Sequence, residues 1–237
     1  MQSTARLHKN AQALITLNIV TNSDSNPQSP AAHTDLGVHA GTQSSGDTST
    51  IPSEFSAAVE SMHDVNLRPE ITLGTIRPPQ RPAPYSHAIG LEVSKGSDDA
   101  ALAPDSNGDA FGRLILLHSA EAEEAWEGSM RLVAYIQADM DDAVASDPLL
   151  PDVAWQWLNE SLAEAGAGFT NLGGTVTSTA SVRFGEIGGP PRAYQLEMRA
   201  SWTADGIDLS SHVEAFSHVL ALVAGLPPVG VTEIPGR

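Results

Sequence analysis

The sequence predicts an α+β fold: a mostly antiparallel sheet of about six strands with three helices packed on one face. Three observations predict it. Apolar and polar residues alternate with period two over several long runs, giving each strand one dry and one wet side. These runs come in adjacent blocks rather than alternating with helices, which argues against a parallel βαβ sheet. Three other segments carry an apolar stripe with helical spacing. The expected order is α-β-β-β-β-α-β-β-α.

Ser53 is placed to cap a first helix running to about Val65, with Phe55, Ala58, Val59 and Met62 on one side. Pro69 opens an extended run, Glu70 to Ile76. Tyr85 to Ser94 alternates, with Ile89, Leu91 and Val93 facing one way. Asn107-Gly108 is a turn dipeptide leading into a third strand, Phe111 to His118. A long strand starts at Gly128 after an acidic turn. Met130, Leu132, Ala134, Ile136 and Met140 share one side, and Arg131, Tyr135, Gln137 and Asp139 the other. The second helix spans about Asp152 to Ala165, with Ala154, Leu158, Leu162 and Ala165 as its stripe and Gly166 at its end. Trp155 and Trp157, two apart, cannot both be central in that stripe, so one is expected at the periphery. In the last two strands Leu172, Val176, Ala180, Val182 and Phe184, then Tyr194, Leu196, Met198, Ala200 and Trp202, face inward. Their polar sides are expected to face water, and Gly188-Gly189-Pro190-Pro191 joins them. The last helix, about Leu209 to Ala224, turns Val213, Phe216, Leu220 and Val223 inward.

Residues 1–50 read as a disordered Ser/Thr/Asn-rich tail, because they hold too little apolar surface to offset the entropy of ordering. Residues 51–237 read as a single domain. Arg6 and Lys9 precede Ala13 to Val20 in a weak imitation of a signal peptide, but Asn18 interrupts the run and no cleavage site follows. A cytoplasmic location is expected. The 237 residues carry 29 acids against 12 bases, a net charge of −17, and 16 of those charges fall on the domain. That balance argues against nucleic-acid and anionic-membrane binding and discourages self-association. Cysteine is absent, which excludes thiolate catalysis, a disulfide framework and cysteine-held metals.

No phosphate-binding glycine loop, nucleophile elbow or paired-histidine metal motif occurs. Asp105 to Asp109 falls short of a calcium loop, with its glycine misplaced and Leu116 where the closing Glu belongs. Asp139, Asp141, Asp142, Asp147 and Asp152 form the densest acidic run, best read as a solvated strand end and helix approach. The eight histidines read as ordinary surface and strand-end residues, and no metal site or cofactor is assigned. Two features remain as candidate binding elements. Arg77-Pro78-Pro79-Gln80-Arg81-Pro82-Ala83-Pro84-Tyr85 is a stiff, polyproline-prone rim offering Arg77, Gln80, Arg81 and Tyr85. Trp126 sits in an acidic turn five residues ahead of Arg131. Trp126 suits a binding platform or a lid on the core.

Several segments together resemble an actinobacterial family described only as a domain of unknown function, number three thousand. They include Phe55 to Glu60, Leu67 to Glu70, Pro79 to Tyr85, Glu124 to Gly128 and Arg131 to Val133. They continue through Asp147 to Pro151, Arg199 to Thr203 and Ala224 to Pro228. The resemblance runs from about Phe55 to Ile234. It implies a cytosolic protein and carries over no catalytic residue or cofactor; it also implies gene neighbours that include a haem-pathway decarboxylase.

The leading expectation is a non-catalytic binding or adaptor domain for a protein partner with a basic patch. Its candidate contacts are Arg77, Gln80, Arg81, Tyr85, Trp126 and Arg131. The alternatives are a carboxylate-based or metal-assisted enzyme using Asp139 to Asp152 on a small anionic substrate, or a tetrapyrrole binder using His118, His212 or His218. Sequence alone leaves the oligomeric state open.

Overall fold

A computed structural model describes residues 51–79, 83–93, 110–123, 125–186 and 192–229. The tail 1–50, the loop holding Asp105 to Asp109, Gly188 to Pro191, and Gln80 and Arg81 lie outside the described residues.

The elements in order are α1 (Ser53–His63), β1 (Ile71–Ile76), β2 (Tyr85–Val93), β3 (Ala110–Glu123) and β4 (Gly128–Met140). There follow α2 (Asp142–Ala145), α3 (Leu150–Glu164), β5 (Phe169–Val182), β6 (Arg192–Ala204) and α4 (Ser210–Val223). The strands form one six-stranded sheet in the order β1-β2-β3-β4-β6-β5, and every neighbouring pair is antiparallel. This is the α+β class and strand content that the alternation predicts. The difference is one extra helix, α2, whose four residues are too few to show a periodicity.

Period-two alternation decides which side of the sheet is dry. Ile89, Leu91, Leu114, Leu116, Leu132, Ile136, Leu196, Met198 and Trp202 point to one side and form the core with α1, α3 and α4. The most enclosed helix is α4, which packs against both α1 and α3. Its Phe216 ring lies so close to β3 that a Cβ at Gly112 would come within 2.7 Å of its Cζ. Only a residue without a side chain lets the helix come that close to the strand. Trp155 and Trp157 are both half-buried against the core, so neither is purely peripheral. The Trp155 ring lies over Gly174 of β5, where a Cβ would also strike the Arg199 carbonyl.

Four local expectations are corrected. Ser53 is the first residue of α1 rather than its cap, and the Pro52 carbonyl accepts from the Ser56 amide. The strand expected to stop at His118 continues to Glu123, with a break in register after His118. Val182 and Phe184 are exposed, because β5 runs past the helices that would cover them. On the polar side of the last two strands, expected to face water, Thr203 is buried, as is the neighbouring Arg131 of β4, since Trp126 folds over that end of the sheet.

Trp202 and His212 pair in the core, while the buried His118 Nε2 and Arg131 Nε have no hydrogen-bond partner among the described residues. Trp202 donates its ring N–H to His212 Nδ1 at 3.1 Å, which requires a neutral imidazole. Burial holds that imidazole down at about 4, against an ordinary 6.5. Asp208 accepts from the Ser210 amide and hydroxyl at the start of α4, which holds its carboxyl below the usual range.

Two outcomes follow. Gly112→Ala overpacks the Phe216 contact and costs about 1–3 kcal/mol. Combined with Phe216→Leu, it costs less than the two single changes summed, as urea denaturation will read. The unfolded chain protonates His212 from about pH 6.5 downward, the folded one only near 4, so stability is lost as pH falls through that window. The loss reaches up to about 3 kcal/mol, and His212→Gln flattens that limb of the pH–stability curve.

Candidate functional site

The helices cover one side of the sheet, and no described helix covers the other. On that uncovered face the register aligns Phe111 and Arg113 of β3, Arg131, Val133, Tyr135 and Gln137 of β4, and Glu197, Arg199, Ser201 and Thr203 of β6. The odd residues of β4 and β6 supply it because the even ones are committed to the core. Two patches result.

The first surrounds Arg131. Its Nη1 donates to the Asn171 carbonyl at 3.1 Å and to Thr203 Oγ1 at 3.0 Å, and its Nη2 donates to Ser201 Oγ at 2.7 Å. Among the described residues no carboxylate lies within ion-pair distance of it. The side chain is only 6% exposed, and burial draws its pKa down to about 10. Trp126 closes over this end. Its carbonyl accepts from Asn171 Nδ2 at 3.1 Å and from Thr203 Oγ1 at 2.5 Å. Its ring joins Ala88, Ile115 and Leu117 in a small apolar cluster bordered by Ile76, Ala83 and Val133. The turn beneath it needs unusual backbone. Glu127 has φ 55° and Asn171 φ 52°, and a Cβ at Gly128 would come within 2.6 Å of the Thr203 methyl.

The second patch lies further along β4. The Arg199 guanidinium sits 5.6 Å from the centre of the Tyr135 ring, and that of Arg113 5.6 Å from the centre of Phe111. The two rings are 5.9 Å apart. The Tyr135 hydroxyl lies 2.9 Å from Glu197 Oε2 and 2.7 Å from the Gln137 amide. Both neighbours are acceptors, Gln137 Oε1 and Glu197 Oε2, and the hydroxyl has one proton to donate between them. Glu197 also holds Arg199 Nε at 2.8 Å. Burial, then this bond to Glu197, pushes the phenol up to about 12, so it stays a neutral donor. The array offers aromatic faces, guanidinium forks and one carboxylate on rigid strands. It can grip another surface, and its one hydroxyl beside a carboxylate, that of Tyr135, is held in the neutral form.

Of the six residues named from sequence, the structure joins two, Trp126 and Arg131. Arg77 is exposed just past β1, and Gln80 and Arg81 lie outside the described residues. Tyr85 is on the helix side, its ring 5.7 Å from Phe55 and 5.9 Å from His118. Sequence reasoning missed Phe111, Arg113, Tyr135, Gln137, Glu197 and Arg199 as a group. The signal was present in the polar side of the alternation. What was missing was the register that places β6 beside β4.

Among the described residues, the carboxylates and histidines of the two alternatives do not converge. Asp139, Asp141, Asp142, Asp147 and Asp152 are all exposed. Among the described residues no three metal-ligating side chains converge. His118 is fully buried, with Nδ1 3.1 Å from the Ser129 carbonyl and Nε2 3.6 Å from Glu54. His212 is occupied by Trp202, and His218 Nδ1 lies 3.2 Å from Ser161 Oγ. His63 and His87 do meet, Nε2 to Nε2 at 3.0 Å, and burial together with His63 holds His87 below the usual imidazole range.

Arg131 gives an ordering of variants. Methionine removes the cost of burying a charge but strips the Asn171 carbonyl and the Ser201 and Thr203 hydroxyls of a donor, so Arg131→Met costs about 1 kcal/mol. Arg131→Lys keeps the buried charge but cannot span three acceptors, and it costs about 2 kcal/mol. Thermal denaturation reads the order, and a lysine variant as stable as the methionine one would refute it.

No helix among the described residues is long and apolar enough to cross a membrane. No match was found among curated proteins or among solved structures. Residues 51–232 match the model of a family described as "Protein of unknown function (DUF3000)". The match spans every described helix and strand, so the chain belongs to the DUF3000 family.

Proposed function

We propose that this protein is a non-catalytic cytoplasmic binding domain whose uncovered sheet face receives a protein partner carrying a basic patch. The observation that carries the reading is the Phe111, Arg113, Tyr135, Gln137, Glu197 and Arg199 array on the side without a described helix. Tyr, Trp and Arg are the residue types that dominate binding energy at protein interfaces. Here they lie half-buried along paired strands, so little side-chain freedom is left to lose on binding.

Charge supports the nature of the partner. The net charge of −17 attracts a positively charged surface from a distance and speeds its approach. The face itself is locally mixed, with Arg113, Arg131 and Arg199 set against Glu92, Glu197 and Asp139. Long-range attraction brings the partner in, and the aromatic and guanidinium groups decide whether it stays. The absence of cysteine fits the cytoplasmic setting.

The experiment is capture of partners by the full chain, with Tyr135→Ala and Arg199→Ala beside the parent. A partner on this face is retained by the parent and weakened at least tenfold by each variant, about 1.4 kcal/mol. Its capture also weakens as salt rises. A partner held equally by parent and variants, at low and high salt alike, overturns the reading.

A further inference from the structure

The two edges of the sheet are built differently. β1 spans six residues and lies between Pro69 and Pro78-Pro79. A short edge flanked by proline offers few backbone groups to a stranger. β5 spans fourteen residues, and from Thr170 to Val182 it carries no charge and no proline. It is rich in β-branched Thr and Val. Its one break in register lies between Thr170 and Gly173. From Gly173↔Ser201 to Val182↔Arg192 it pairs with β6 without interruption. No described strand lies beyond it. A long, regular, uncharged edge is an open template for another strand.

We infer that β5 pairs antiparallel with β5 of a second copy of this chain, about a two-fold axis at Ser178, joining two sheets into one. Side chains argue for that occupant. About this axis, Val176 faces the partner's Ala180 and Gly174 faces the partner's Val182, a small residue against a larger one each time. Phe184, 79% exposed, and Val182, 46% exposed, are the large apolar residues left bare at this end of β5. The same axis brings Phe184, just past the end of β5, toward the partner's register break between Thr170 and Gly173, where Leu172 is half-buried against the core. On the uncovered face Thr177 meets the partner's Thr179, and Thr175 meets the partner's Ser181, so hydroxyls face hydroxyls. An isologous contact of this kind closes after two copies. Each copy bears −17, so the bodies repel while the contact line is uncharged. Association therefore strengthens as salt rises, opposite to the salt response of a basic partner on the sheet face.

The chain has no cysteine, so Ser178→Cys introduces a single thiol. Across the axis the two Cα atoms would sit about 4.5–5.5 Å apart, within the range a disulfide spans. The full chain carrying Ser178→Cys is expected to oxidise to a covalent dimer, well ahead of Ala163→Cys, an exposed position on α3. Light scattering should give a dimer for the parent and half that mass for Thr177→Lys/Thr179→Lys, which sets like charges opposite each other. Thr177→Glu/Thr179→Lys sets opposite charges there and should restore the dimer. Both doubles alter exposed side chains, so circular dichroism should match the parent. A parent that is monomeric at all salt concentrations overturns the inference. So does Ser178→Cys oxidising no faster than Ala163→Cys, or a lysine double that still dimerises. A monomer in which the amides of 173–182 that point away from β6 also resist hydrogen exchange overturns it, because the edge would then be covered by another part of the same chain.

Discussion

Ten consecutive residue pairs hold β4 to β6, from Arg131↔Thr203 to Met140↔Tyr194. Both sides of the molecule depend on them. Leu132, Ile136, Leu196 and Trp202 point toward the helices and are almost wholly buried. Each contributes about 1.5–3 kcal/mol by leaving water. Tyr135, Gln137, Glu197 and Arg199 alternate with them and build the uncovered face. A slip of one residue would drive guanidinium groups into the core and bring leucine out. The core therefore fixes the geometry of the candidate surface, and no separate device is needed to position it.

Arg131 is the place where this division is broken. It sits on the uncovered side yet is buried, and it meets neutral oxygens instead of a carboxylate. Its three donors tie together the Asn171 bulge and the hydroxyls of Ser201 and Thr203. Of these, Asn171 and Thr203 in turn donate their side-chain N–H and O–H to the Trp126 carbonyl. The guanidinium acts as a planar clip between β4, β6 and the start of β5. With that end of the face closed by Trp126, the accessible part begins at Val133 and Tyr135.

What was legible in the sequence were features that depend on near neighbours along the chain. The alternation in β4, from Met130 to Met140, is read correctly because each residue's side follows from the one before. The three long helices show their stripes for the same reason. The four-residue helix α2 has no room for a stripe. Val182 and Phe184 continue the inward pattern of β5 perfectly and are nonetheless exposed, because what they lack is a helix above them. Arg131, Thr203 and His118 were unreadable as buried residues. Each is covered by something distant in sequence: Trp126 over Thr203, and Phe55 of α1 against His118. The family resemblance was legible in short scattered segments, and residues 51–232 bear it out. The grouping of Tyr135 with Arg199 required knowing that β6 returns beside β4.

That return has a cost in time. A ribosome makes β1 to β4 first, as a meander of neighbours that can pair as they emerge. The far edge of β4 then waits, since Arg131 finds Thr203 only 72 residues later. The apolar side of the meander waits longer still, because α4, which seats Phe216 on Gly112, is the last described element to be made. Throughout that interval the nascent chain presents both a sticky strand edge and a bare apolar sheet. Until its last helix is made, the chain is exposed to the association that bare apolar surface and unpaired strand edges invite.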